Sequence, residues 1–323
     1  MLNPAIELGT NICPWNCEFC FTESSDNPEG HKRRLQNEMS LAEKLSLIDN
    51  VAALGARSIN FVGAGEPTID PNFWQLIERM RERSITPIIY TEASLRLTQV
   101  EFVRRLFDAG ATVVVKMNSF SNAEYQNSIV RGNGQVNVRA SNRYTELRNE
   151  AVRLMIAEGF TSSEPTRLAF DTIICRQNYD ETLDLHRFAR DNNIFVLFVN
   201  YLPSGRSTNG LYDALSRDEQ FALFEAMATV DRDEYGITHR HIFPYAGGVP
   251  CSIRGLGIFI KITGETFDCP GELISLGNVR QRPVEEVWAQ ARPVTLGFNG
   301  GCAPREEFWK RQSVRRLPLL SGT

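Results

Sequence analysis

The chain has 323 residues, 42% of them hydrophobic and 23% charged, with a formal net charge of −4. That is the balance of a soluble globular protein, and it gives no electrostatic case for nucleic acid or an anionic membrane as a partner. No apolar stretch is long enough to span a bilayer, residues 1–9 lack the basic start and apolar run of a secretory leader, and an odd count of seven cysteines points to a reducing, cytoplasmic setting. The length allows one barrel-sized domain plus a smaller appendage.

The first apolar run, Ala5–Leu8, reads as a strand, and a cysteine-rich loop follows it: Cys13-Pro14-Trp15-Asn16-Cys17-Glu18-Phe19-Cys20. Thiolates this close can converge on one iron–sulfur cluster. Each iron of a cube needs a ligand from outside the cluster, so three cysteines leave one iron open to a reactant. The competing reading is a zinc site, which a fourth Cys or a His usually completes. His31, the only nearby histidine, lies eleven residues beyond Cys20, outside the usual ligand spacing.

The three-and-two spacing, with the aromatic Phe19 just before the last cysteine, resembles the radical S-adenosylmethionine (SAM) superfamily. The resemblance implies an enzyme with a [4Fe–4S] cluster on Cys13, Cys17 and Cys20 and with SAM chelated to the open iron. It also implies a flavodoxin or ferredoxin-type electron donor and a 5′-deoxyadenosyl radical that abstracts a substrate hydrogen. In such enzymes the cofactor supplies the difficult chemistry, and the protein aims it. Phe19 is placed beside the cofactor on the same ground.

Further strands are expected at Ser58–Val62, Pro87–Tyr90, Thr112–Val115, Leu168–Ile174 and Ile194–Val199. Helices are expected at Leu41–Leu54, Asn72–Arg83, Thr98–Ala109, Arg143–Glu158 and Glu181–Asp191. Ser40 and Glu43 make a capping-box pattern at the start of the first helix. Six strands alternating with helices imply parallel βαβ units, either doubly wound or a barrel. The resemblance selects a partial (β/α)6 barrel of the TIM type. Residues 1–235 are assigned to it, and residues 236–323 to a small hairpin-plus-helix extension.

Chemistry in such barrels gathers at the C-terminal strand ends. After the second strand comes Gly63-Ala64-Gly65-Glu66-Pro67, whose glycines permit close backbone approach and whose Glu66 offers a carboxylate to an ammonium group. By itself this is also an ordinary tight turn. It resembles the family's Gly-Gly-Glu-Pro segment, which implies that Gly65 and Glu66 hold the amino group of SAM; Ala64 replaces the first glycine. Thr91 and Ser119, at the next two strand ends, match hydroxyl residues that contact SAM in related enzymes, although both also suit caps or turns. Asn178 and Glu181 fit helix caps better than cofactor contacts. Residues 201–206 resemble the segment that lines the adenine end. Lys116, Glu92 and Arg305 are candidates for the substrate side.

The last third of the chain carries Cys251, Cys269 and Cys302. Ile258–Ile262 and Glu265–Phe267 flank Thr263-Gly264 as a hairpin. With Gly264 between Cys251 and Cys269, the stretch resembles the twitch and SPASM extensions of radical SAM enzymes. That resemblance implies an auxiliary [4Fe–4S] cluster on Cys251, Cys269 and Cys302. Its fourth position is an open iron or another ligand such as Arg305, and a zinc or purely structural site is the alternative. Cys175 is expected to be a buried small hydrophobe. An auxiliary cluster can take an electron from a substrate radical, bind substrate, or donate sulfide. With the first strand near residue 5, a preceding peptide-recognition domain is not expected. The expected substrate is therefore a small molecule, such as a sugar, aminocyclitol or nucleoside-derived intermediate. A peptide-modifying maturase is the competing reading, and a non-enzymatic metal-binding scaffold the more distant one.

Overall fold

The computed structural model describes residues 2–20, 33–132, 142–201, 213–239, 257–271 and 274–295, with Gly301, Cys302, Glu306 and Lys310. Cys251, Arg305 and residues 202–206 lie outside the described residues, as does His31.

Strand β1 (Ala5–Glu7) is followed by a two-strand ribbon in which β2 (Trp15–Cys17) later meets β6 (Val130–Gly132). Between them come α1 (Leu41–Ala53), β3 (Ser58–Val62), α2 (Phe73–Glu82), β4 (Thr86–Thr91), α3 (Val100–Asp108), β5 (Thr112–Lys116) and α4 (Ala123–Ile129). Then follow α5 (Tyr144–Glu158), β7 (Leu168–Ile174), α6 (Thr182–Asp191), β8 (Phe195–Asn200) and α7 (Arg217–Tyr235). The six expected strands lie in the order β1-β3-β4-β5-β7-β8, and every adjacent pair is parallel. Parallel pairing is what strand–helix alternation with short crossovers implies, and the sequential order is that of the partial barrel that the resemblance selected.

The strands use their two faces differently. Ile59, Phe61, Ile89, Val113, Val115, Phe170 and Phe198 are fully buried in one core with Leu76, Leu106, Met155 and Phe224 of the surrounding helices. Burying each such side chain stabilises the fold by about 1.5–3 kcal/mol, so this outer face holds sheet and helices together. Most of the alternate residues, among them Val62, Ile88, Tyr90, Lys116, Asp171, Ile173 and Leu197, are only half-buried and line the inner side.

Ser40 accepts from the Glu43 N–H while Glu43 reaches back to the Ser40 N–H, so the capping box at α1 forms as the sequence implies. A second capping box, Ser216 with Glu219, opens α7. That helix, α4 and the β2–β6 ribbon are elements that the strand–helix alternation does not announce.

The C-terminal hairpin is β9 (Phe259–Ile260) and β10 (Glu265–Phe267), followed by β11 (Ser275–Asn278) and α8 (Val284–Thr295). Strand β11 thus adds a third antiparallel strand to the hairpin. The hairpin continues the main sheet: β9 pairs parallel with β1, and the Glu7 carboxylate accepts from the Ile262 N–H at 2.8 Å. Because β10 runs antiparallel, Phe267 lies opposite Phe259, which lies opposite Ala5 at the start of β1. Cys269 therefore stands near the N-terminal end of β1, at the barrel's base.

Helices α6 and α7 are joined by a buried charge. Asp231 is fully buried and accepts from Arg190 Nε and Nη2, each at 2.7 Å, with the ring nitrogens of His186 at 2.7 Å and His239 at 2.6 Å. Burial alone would raise its pKa, but the Arg190 and His239 hydrogen bonds and the positive charges bring it down to about 2. Asp231→Ala should therefore cost about 3–5 kcal/mol in urea unfolding at neutral pH, because it strands Arg190. The folded carboxyl titrates below its ordinary 3.8, so the parent's advantage should be complete at pH values above that and fade as pH falls through it toward about 2. An equal urea midpoint for both proteins at pH 7 would refute this.

Candidate active site

The cysteine loop leaves the C-terminal end of β1 and is fixed on three sides. Through the ribbon, Trp15 lies opposite Gly132 and Cys17 opposite Val130. Asn11 ties the loop's base to the following segment, donating to Arg33 O at 2.7 Å and accepting from the Leu35 N–H at 3.1 Å. The third side is the turn after β3, where the Gly65 N–H donates to Thr10 O at 3.1 Å and the Glu66 N–H to Ile12 O at 3.0 Å. A Cβ at Gly65 would lie 2.2 Å from Ile12 O. The glycine thus permits contact between two protein loops, and its N–H is spent on one of them. Aromatic groups brace the loop from outside: Trp15 packs edge-on against Tyr144 at 5.2 Å, and Phe19 against Tyr201 at 5.5 Å.

Beside the loop sits a knot of carboxyl groups. Glu66 is buried, and its Oε1 accepts from the Thr68 N–H (3.1 Å), Thr68 Oγ1 (2.6 Å) and Thr91 Oγ1 (2.7 Å). Its Oε2 accepts from the Glu92 N–H at 3.1 Å. Thr91 Oγ1 in turn accepts from the Ala93 N–H. Glu92 accepts from the N–H and hydroxyl of Ser94 and from the Leu95 N–H. Burial raises the pKa of Glu66 against the pull of these donors. For Glu92, burial and then the charge of Glu66 push it up to about 8. The Trp15 indole N–H sits close enough to favour the Glu92 carboxylate but is not aligned as a hydrogen bond. Tyr144 closes the ring by donating to Glu92 O at 3.0 Å.

The other singled-out residues fall in distinct places. Ser119 is fully buried; its hydroxyl accepts from the Asn122 N–H at the head of α4. Around it lies a buried polar cluster: the Gln126 Oε1 accepts from the Asn118 and Ser119 N–H groups, and Arg148 donates to Gln126 Oε1 and Ser119 O. Burial lowers the Arg148 guanidinium to about 10. Asn178 and Glu181 do not cap α6 through their side chains. Asn178 donates to Asn118 O and Ile173 O and accepts from the Cys175 N–H; Glu181 accepts from the Phe120 and Ser121 N–H groups across the next loop. Glu181 has helical backbone angles rather than the extended ones of a capping residue, and its carboxylate turns instead to the loop after β5. Cys175 is buried, as expected, and also meets Tyr125 Oη at 3.1 Å. Lys116 pairs with Asp171 at 3.0 Å on the inner face.

Do the loop's thiols suit an iron–sulfur cube? Burial, the neighbouring Cys17, and the charges of Glu66 and Glu92 raise the Cys13 thiol well above its ordinary value, despite an opposing backbone hydrogen bond. A cationic cluster would supply the charge that such a thiolate lacks, which fits the donor set. Among the described residues, no three His, Cys, Asp or Glu side chains converge as a single ion would require. A cube, being wider than an ion, needs no such convergence.

The model of the radical SAM superfamily matches residues 8–172, about half of the chain, from the cysteine loop through β7. The chain belongs to the radical SAM superfamily. The family implies a [4Fe–4S] cluster and SAM as cofactors. The chain is 24% identical over 212 residues to the GTP 3′,8-cyclase of Aeromonas hydrophila, covering 65% of this chain and 55% of that protein. To the mycofactocin maturase MftC of Mycolicibacterium smegmatis it is 22% identical over 272 residues, covering 81% and 62%. It therefore spans just over half to about three-fifths of these relatives' lengths. Among solved structures, SuiB of Streptococcus suis bound to its precursor peptide SuiA shares the fold with a TM-score of 0.64. That match is at 15% identity and covers 89% of this chain and 64% of that one.

Two substitutions test how this radical SAM protein holds its loop. Gly65→Ala should leave a folded barrel that loses up to about half of the parent's iron after anaerobic reconstitution, the share of one cube in two, because the new methyl displaces the loop; undiminished iron content would overturn the packing argument. Glu66→Gln should cost about 1–3 kcal/mol in chemical unfolding, since its amide sets a donor against a donor in the knot. No loss of stability would show that the knot is not fully bonded.

Proposed function

We propose that this radical SAM enzyme abstracts hydrogen from a small polar molecule, such as a sugar, aminocyclitol or nucleoside-derived intermediate, held in the barrel lumen. The observation that carries the reading is the convergence of the cysteine loop, the Glu66 knot and the end of β4 above the half-buried inner face. Cys13, Cys17 and Cys20 are the ligands assigned to the cluster, and Phe19, Gly65, Glu66, Thr91 and Ser119 the residues assigned to SAM and its surroundings. Bound together and reduced by one electron, cluster and SAM supply a 5′-deoxyadenosyl radical. Glu66 and Thr91 act by position: their hydrogen bonds fix the ends of β3 and β4 against the loop. A flavodoxin or ferredoxin-type protein is the proposed electron source.

The second part of the proposal concerns residues 236–323 as an extension with an auxiliary [4Fe–4S] cluster on Cys251, Cys269 and Cys302. Its support is topological. The antiparallel turn from β9 to β10 carries Cys269 to the base of the sheet, while the cysteine loop leaves the top of β1. A substrate in the lumen would then lie between the two, which suits dehydrogenation with the lower cluster as electron acceptor. The second reading, a peptide maturase, is favoured by the likeness to MftC along 81% of the chain.

Cys17→Ala should abolish 5′-deoxyadenosine formation from SAM under dithionite, read by chromatography; formation at the parent's rate would overturn the cluster assignment. Cys269→Ala should keep SAM cleavage within about threefold, because the auxiliary site acts after hydrogen abstraction. The same variant should lower the iron content by about half, the share of one cube in two. Unchanged iron would overturn the auxiliary cluster.

A further inference from the structure

One ion pair of the barrel lies on its inner wall. Lys116, the last residue of β5, stands opposite Asp171 of β7 in register, with Nζ 3.0 Å from Oδ2. Both side chains are 23% exposed, so the pair is neither sealed in a core nor dispersed in solvent. Tyr90, next to the last residue of β4, shares this face, and the Asp171 charge reaches its hydroxyl. The surrounding inner positions, including Ile88, Ile173 and Leu197, are apolar. Such a polar group in an apolar wall specifies orientation and composition of a ligand better than it stabilises a fold. Tyr90 and Lys116 sit at the C-terminal ends of their strands, and Asp171, in the middle of β7, is level with the end of β5.

We infer that Tyr90, Lys116 and Asp171 form the substrate-recognition patch of the lumen, and that they select an uncharged, hydroxyl-bearing group such as that of a polyol. This rests on the proposed function and narrows its substrate class. Asp171 neutralises Lys116, so a phosphate or carboxylate approaching the ammonium also meets a carboxylate and gains little. A hydroxyl suits both partners, because it donates to Asp171 while accepting from Lys116 or Tyr90. The Tyr90 phenol is protonated at neutral pH and so is available as a donor. A ligand without a hydroxyl would cover the remaining donors and acceptors of the pair and of Tyr90 without bonding them, so the patch discriminates against it.

The test uses the anaerobically reconstituted full chain with SAM and dithionite. Three carbon-deuterated probes are supplied separately: myo-inositol, glucose 6-phosphate and trialanine. Mass spectrometry reads the fraction of 5′-deoxyadenosine that carries deuterium. Label should come from inositol at least about tenfold above the other two, the worth of one well-placed hydrogen bond. Lys116→Gln and Tyr90→Phe should each lower the labelled fraction from inositol. Asp171→Asn should also raise labelling from glucose 6-phosphate, because it frees the charge of Lys116. Label from the phosphate or peptide in preference to inositol would overturn the inference. So would 5′-deoxyadenosine without label from any probe, or labelling indifferent to all three substitutions. Failure to form 5′-deoxyadenosine at all would instead overturn the reading on which it rests.

Discussion

A single buried carboxylate, that of Glu66, holds together the part of this protein where chemistry is expected. It accepts four hydrogen bonds from Thr68, Thr91 and the Glu92 N–H, and so joins the turn after β3 to the end of β4. Its own N–H and that of Gly65 bond to the loop that carries the cysteines. Placing Glu66 and Glu92 together in a low-dielectric site is costly, and each unmade hydrogen bond there would add to the cost. The cost is offset only while all the donors stay in place. The knot therefore makes the three chain segments one mechanical unit, and rigidity of this kind suits a site that must aim a reactive species.

The rest of the barrel divides its tasks between the faces of one sheet. Residues that point outward, such as Phe61, Val115 and Phe170, fill the core against the helices. Residues that point inward are half-buried and leave room for Tyr90, Lys116 and Asp171. Stability and recognition can thus change separately, because a strand's period of two sends neighbouring residues to different surroundings. The hairpin at β9 extends the same sheet beyond β1, so Cys269, two residues past the end of β10, is positioned by the barrel's own hydrogen-bond ladder.

Much of this was legible in the residues alone. The apolar runs place all six parallel strands to within a residue or two, because a buried βαβ strand needs a continuous hydrophobic stretch. The cysteine spacing and the Gly65-Glu66 turn mark the site because few structures require those residue types so close together. Other features were hidden for physical reasons. Glu181 and Asn178 look like caps by position, yet the donors that Glu181 meets and one acceptor of Asn178 lie about sixty residues away in sequence, in the loop after β5. Tyr90 and Asp171 carry no motif; the alternation of β4 and β7 places them inward, but only the register of three strands makes them neighbours of Lys116.

By itself the sequence determined the family, the order of strands and helices, and the cysteines that make a metal centre plausible. These are local properties, set by spacing along the chain and by the periodicity of apolar residues. Only the tertiary structure decided that Gly65 serves a contact between two loops, that Glu66 is saturated by protein donors, and that Cys269 stands at the base of the sheet rather than beside Cys13. Each of these depends on which backbone groups meet across long stretches of sequence. That is settled by strand register and by the need to pair every buried donor and acceptor.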